Sequence, residues 1–263
     1  MSFPLRLSVD AVADRAEAAE IQLVDVREPW EYDAIGHLPG AVNIPFDRFR
    51  DAQSDEPGTL PGAAVFRSLL SEAGISPEQP IVAYDDMHGV FASRFVLTAI
   101  VYGYDSVGIL DGDFTAWQRS HPIDRDTPTK NKTEGSLPTP PPASPIVSTD
   151  TVQSLLAETD TTFIDTREQD EYADGHLPGA IRLDWMELVD PDTRGGKSEQ
   201  EIESILIKHA IPTERSTPIV LYCNTARRLS HTYLLLRSIG FENVKIYEGS
   251  LAAWDGPLEQ TSS

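Results

Sequence analysis

The stretch PIVLYCNTARRLSHTYLLLRSIG, residues 218–240, holds Cys223, the one cysteine in 263 residues, with Arg227 and Arg228 four and five positions on. A thiol so close to two guanidinium groups suggests a sulfur nucleophile beside an anion site. An apolar run precedes the cysteine and a helical pattern begins near Arg227, so the sulfur is expected where loop and helix N–H groups converge. Lowering an ordinary thiol by ~2 pK units takes about 2.7 kcal/mol, and a helix N-terminus supplies only about 0.3–1 kcal/mol of it. A guanidinium at about 6 Å adds roughly 0.7–2.8 kcal/mol between effective dielectrics of ~80 and ~20. Loop amides, dipole and Arg228 together are therefore enough to hold a thiolate. The competing reading is an inert core thiol, the commoner fate of an isolated cysteine.

The elements that must position this cysteine occur twice. LVDVREPWEYDAIGHLPGAVNIP (23–45) is answered by FIDTREQDEYADGHLPGAIRLD (163–184), pairing Asp25, Arg27, Glu28, Glu31 and Tyr32 with Asp165, Arg167, Glu168, Glu171 and Tyr172 at an offset of 140. After a slip of one residue GHLPGA recurs at 139, and YGYDSVGILDGDFTAW (102–117) matches IGFENVKIYEGSLAAW (239–254). A period this long is a duplicated domain, not a solenoid. The expected division is a first domain over 1–123, a Pro/Thr-rich linker over 124–145 with polyproline II character, and a second domain over 146–263. Within each copy IQLVDV, TFIDT, PIVAY, PIVLY, SVGIL and NVKIY read as buried strands. VFRSLLSEAG, SEQEIESILIKHA and RRLSHTYLLLRSIG read as helices, and this alternation predicts an α/β fold with a mainly parallel sheet covered by helices on both faces.

The duplication is an internal control. PIVAYDD aligned with PIVLYCN sets Asp85 opposite Cys223, and the first loop, DDMHGVFASR, is acidic where the second, CNTARRLSH, is basic. A carboxylate is no sulfur nucleophile, so the first domain is expected to be catalytically silent. His37 and His176 occur in both copies and read as structural, whereas Trp185, present in one, reads as a core aromatic. DPDTRGGKS, with Arg194 and Lys197, reads as a solvated turn.

The paired D-x-R-E and GHLPGA segments, the strand-end cysteine loop and the G-x-x-A-W ends make the chain resemble a tandem-domain rhodanese with an inactive N-terminal and a catalytic C-terminal domain. The resemblance spans nearly all the chain except the linker. It implies that Cys223 accepts a sulfane sulfur as a persulfide, that Asn224, Thr225, Ala226 and Arg227 form a cradle around it, that Arg228 closes the cradle on an anion, and that Arg167 binds substrate. Arg27 at the matching place gives Arg167 a structural alternative. Many members carry glycine where Ala226 stands; a left-handed backbone there would cost alanine about 1–2 kcal/mol, a right-handed one nothing. The implied reaction moves sulfur from thiosulfate, or alternatively 3-mercaptopyruvate, to cyanide in an assay or a thiol in the cell, with room for a sulfur-acceptor protein. A phosphatase or arsenate reductase would hold five residues between Cys and Arg where this loop has four, and the remaining alternative is a non-enzymatic sulfur-carrier or binding module.

Composition narrows the partners. Forty-two acidic against 21 basic residues give a net charge of −21, which repels nucleic acid and anionic membranes. That balance suits a protein kept soluble in high salt, and equally an ordinary acidic cytosolic one. One cysteine supports neither a disulfide framework nor a thiolate-rich zinc site, so no metal or other cofactor is expected. No apolar run reaches the ~18 residues of a membrane span and the N-terminus has no signal-peptide pattern, so the expectation is a cytoplasmic monomer.

Overall fold

The computed structural model describes residues 3–50, 59–126, 128, 144–158 and 160–261. They form two compact units, the first from the described residues of Met1–Ala52 and Leu60–Ala143 with Pro191–Gly195, the second from those of Gln53–Thr59, Ser144–Asp190 and Gly196–Ser263. Most of the expected linker, residues 127 and 129–143, lies outside the described residues, and with it the polyproline expectation.

In the first unit the order is β1 (Arg6–Ser8), α1 (Val9–Glu17), β2 (Gln22–Asp25), a π-helical turn (Glu31–Ile35), β3 (Val42–Asn43), α2 (Ala63–Glu72), β4 (Ile81–Tyr84), α3 (Val90–Val101), β5 (Val107–Asp111) and α4 (Phe114–Gln118). The second repeats it as β6 (Ile146–Val147), α5 (Thr149–Leu156), β7 (Thr162–Asp165), α6 (Gln169–Asp174), β8 (Ile181–Arg182), α7 (Glu199–Lys208), β9 (Ile219–Tyr222), α8 (Arg227–Ser238) and β10 (Val244–Tyr247). Each sheet has five strands, in the orders β1-β5-β4-β2-β3 and β6-β10-β9-β7-β8, and every strand pair is parallel. The α/β expectation of two tandem parallel-sheet domains therefore holds.

The central strands are apolar at consecutive positions because both faces are covered. Leu23, Val82, Tyr84 and Leu110 pack with Val12, Phe114 and Trp117 in one core. Their strand neighbours Val24, Ala83 and Ile109, which alternate to the other face, are buried as deeply, and α3 packs over β4 and β5. Helix starts follow local capping: Ser8 and Ser148 accept from the third amide of α1 and α5, and Ser198 forms a capping box with Glu201 at α7.

Three features differ from the sequence reading or were not visible in it. The helix α3 is buried along almost its whole length, so it shows no amphipathic period to read. The one-residue slip between repeats appears as geometry, since the first copy widens into a π turn where the second has the regular α6. And DPDTRGGKS is no solvated turn: the Arg194 guanidinium is paired with Asp113, Nε to both carboxylate oxygens at 2.8 Å, within the first unit. The Lys197 ammonium donates to the Val189 carbonyl. Trp185 is buried and meets His231 edge to face at 5.2 Å, a core position.

Candidate active site

The order in which strands are added reverses between β7 and β9, the place where open parallel sheets leave a crevice at the strand ends. Asp165 and Tyr222 are register partners there. The next residues are the candidates: Thr166 and Arg167 follow β7, Cys223 follows β9. The Thr166 hydroxyl donates to the Tyr222 carbonyl at 3.1 Å, binding the two strand ends together.

Cys223 is 1 % exposed. Its amide donates to Ser250 Oγ at 3.2 Å, the same hydroxyl donates to the Tyr247 carbonyl at 2.9 Å, and the Leu251 amide donates to the Cys223 carbonyl. Ser250 therefore anchors the cysteine backbone to the end of β10. It occupies the place of Asp113 in the first copy, so the copy-to-copy difference was available in the sequence as a signal.

Ala226, the N-cap of α8, is left-handed at φ 58°, ψ 9°, and fully buried. The residue at that place in the first unit, Gly89, has φ 82°, ψ 7°. The loop thus takes the strained branch of the two open from sequence. Ala226→Gly relieves about 1–2 kcal/mol of left-handed strain and gives up a buried methyl worth about 0.8 kcal/mol. The expected result in chemical denaturation is unchanged to slightly higher stability, by at most about 1 kcal/mol; a clear loss would show that the methyl packing outweighs the strain.

Around the loop runs a chain of charged groups. Arg167 is buried, its Nε and Nη2 on the Asp165 carboxylate (2.6 Å from Nη2 to Oδ2) and Nη2 also on the Gly175 carbonyl. Burial works against its charge, yet the Asp165 carboxylate outweighs that and holds the guanidinium above its usual range. Nη1 donates to Asn224 Oδ1 at 3.3 Å. Asn224 Nδ2 donates to Glu171 Oε1 at 2.6 Å, and Arg228 makes a two-pronged pair with Glu171, at 2.5 and 2.8 Å. Arg228 is likewise raised: burial opposes its charge, but Glu171, and Cys223 after it, overcome that. The structure thus brings Asn224, Arg228 and Arg167 into one network through Glu171, adjoining Cys223 in the chain, keeps Thr225 half-buried and leaves Arg227 exposed at the first turn of α8. Glu171 was not singled out from sequence, because Glu31 shares its position.

Glu171 is held below the usual carboxylate range, chiefly by Arg228, with partial burial opposing. A carboxylate depressed on folding contributes stability above its unfolded value, near 4.5, and loses it as pH falls through the lower folded value. The stability difference between wild type and Glu171→Gln should therefore be full at neutral pH and shrink below pH 4.5. A gap that is constant with pH would mean that Glu171 contributes shape and not charge.

In the first unit the same loop is closed on itself. The Asp85 carboxylate, fully buried, accepts from the amides of Met87 and Gly89 on Oδ1 and of Phe91 and Ala92 on Oδ2, at 2.7–2.9 Å. Burial pushes its pKa up and the four amides pull against that. Arg27 repeats the pairing of Arg167, with Nη2 2.6 Å from Asp25 and on the Gly36 carbonyl. His37 and His176 are buried, stacked on Tyr32 and Tyr172.

Among the described residues no group of three or more His, Cys, Asp or Glu side chains is arranged to hold a metal ion, and no helix is long and apolar enough to cross a membrane.

A doubled parallel α/β chain with one strand-end cysteine inside a loop that opens a helix defines a class of thiol group-transfer proteins. Residues 8–120 and 148–256 each match the rhodanese-like domain, and the chain belongs to that sulfurtransferase family. It is 32% identical over 97% of both chains to a thiosulfate sulfurtransferase of Pseudomonas aeruginosa. It is 28% identical to a 3-mercaptopyruvate sulfurtransferase of Escherichia coli K12, over 98% of this chain and 99% of that one. The crystal structure of Escherichia coli SseA, described with the "rhodanese" fold of 3-mercaptopyruvate sulfotransferases, superposes with a TM-score of 0.84 at 25% identity, covering 96% of this chain and 100% of the other.

Proposed function

We propose that the chain is a thiosulfate sulfurtransferase working through a persulfide on Cys223. The observation that carries this reading is the contrast between the two loops: one is saturated by its own carboxylate, Asp85, and the other presents a sulfur at the same place. In the first half-reaction the Cys223 thiolate attacks the outer sulfur of thiosulfate. A new S–S bond forms, the bond to the sulfonate sulfur breaks, and sulfite leaves with the electron pair. In the second, cyanide or a cellular thiolate attacks the outer persulfide sulfur, the S–S bond breaks, and Cys223 recovers its thiolate. The amides of Ala226, Arg228 and Leu229 stand at the positions of Gly89, Phe91 and Ala92 and would receive the developing negative charge. Asn224, Thr225 and Arg227 complete the loop, and Arg228, which interacts electrostatically with Cys223, supplies a guanidinium. Arg167 acts here as a positioning residue, fixing Asn224.

Thiosulfate is preferred to 3-mercaptopyruvate because an arginine-rich loop suits a compact dianion, and the more similar of the two relatives above is the thiosulfate enzyme. The first domain is proposed to be a non-catalytic partner and the acceptor a small thiol. The test is intact mass after incubation with each donor. One added sulfur from thiosulfate, removed by cyanide and absent in Cys223→Ser, is the expected result. An adduct formed from 3-mercaptopyruvate alone reassigns the donor, and no adduct from either rejects the mechanism.

A further inference from the structure

Arg228 is expected to hold the donor's anionic end, yet both its terminal nitrogens are on Glu171. The same carboxylate takes Asn224 Nδ2, and Asn224 in turn is held by Arg167, itself paired with Asp165. Within this network each guanidinium is matched by a carboxylate. A dianion entering the loop therefore meets an arginine already neutralised. Capping does not account for the arrangement. Glu171 and Glu31 both accept the amide three residues back, at 3.3 and 3.1 Å, which explains why glutamate stands in both copies. In the second copy the shorter bonds go to the loop instead. Their donors, Asn224 and Arg228, are replaced in the first copy by Asp86 and Phe91, so the added partners belong to the unit that has the cysteine.

We infer that Glu171 is a resident competitor for Arg228. It holds the guanidinium oriented and charged while the loop is empty, yields it when the sulfonate end of the donor arrives, and takes it back as sulfite departs. A group that competes with substrate and product alike weakens both, which keeps sulfite from remaining on the enzyme. The inference rests on the sulfur-transfer reading for its substrate, while its geometry stands on Glu171, Asn224 and Arg228 alone.

The test is Glu171→Gln, which keeps the side-chain shape and a helix-capping acceptor but removes the charge. Sulfite affinity, measured by calorimetry, and thiosulfate KM are the readouts. Sulfite is expected to bind about tenfold more tightly and thiosulfate KM to fall by a similar factor, the order of one charge-assisted hydrogen bond. In an Arg228→Ala background the same substitution should change neither. Unchanged or weakened sulfite binding overturns the inference, as does an effect that survives without Arg228, because a purely structural glutamate would lower stability without tightening an anion. Should Glu171→Gln fail to fold, Glu171→Ala carries the same expectation for sulfite. Wild type that takes up no sulfur from thiosulfate would reject the proposed reaction, whereas wild type that turns over beside a Glu171→Gln protein of unchanged affinity rejects only the competitor.

Discussion

Arg167→Ala is expected to destabilise the second unit by about 3–5 kcal/mol, since it leaves a buried carboxylate without its counter-ion. Asp165 is fully buried and receives Nε and Nη2 of Arg167, and the same guanidinium satisfies the Gly175 carbonyl at the start of the GHLPGA turn. Losing it takes the counter-ion from Asp165 and the side-chain donor from the Gly175 carbonyl, at the place where the strand hands over to the loop. Arg27→Ala should cause a comparable loss in the first unit, where Asp25 and Gly36 are held in the same way. Chemical denaturation of the two variants, each compared with wild type, separates the structural role from a direct hold on substrate. An Arg167→Ala protein as stable as wild type, with a raised thiosulfate KM and nothing else, would show that the structural assignment is wrong.

Cys223→Ser should lower sulfur transfer by a factor on the order of 10³ or more, because a neutral hydroxyl neither attacks sulfur nor carries it as a persulfide. The substitution leaves the loop standing. The bonds that anchor residue 223 to Ser250 and Leu251 use its backbone amide and carbonyl, not its side chain. Steady-state turnover with thiosulfate and cyanide, alongside a melting curve, reads both halves of the prediction. Activity within tenfold of wild type in a folded Cys223→Ser protein would place the nucleophile elsewhere.

The sequence made the central strands, the repeat and the cysteine loop legible because each leaves a local mark: short apolar runs, similar strings at an offset near 140, a thiol beside arginines. The parts that stayed hidden have physical reasons. The handedness at Ala226 is decided by how the loop must turn from β9 into α8, which residue type alone does not state, although Gly89 at the matching position was a hint. Glu171 was hidden by the subtraction that exposed Cys223. A residue common to both copies is read as structural, and the rule fails when one copy supplies new partners to a shared side chain. Arg167 shows the converse. Shared with Arg27, it has the same carboxylate and carbonyl partners, and what its copy adds is one bond to Asn224; the corresponding nitrogen of Arg27, Nη1, has no hydrogen-bond partner among the described residues.

The Asp85 carboxylate has a consequence for the other unit. Its oxygens lie two bonds beyond Cβ and carry negative charge, which is also the place and the charge of the terminal sulfur in a cysteine persulfide. Under the proposed persulfide mechanism, the first unit therefore presents a permanent analogue of the loaded intermediate, with four amides at 2.7–2.9 Å drawn in around it. That loop is one residue longer than its counterpart, Gly89 lying four positions after Asp85 and Ala226 three after Cys223. If Cys223 is loaded as proposed, the chain carries two stages of that reaction in sequence, one fixed in covalent structure at Asp85 and one to be reached by chemistry at Cys223.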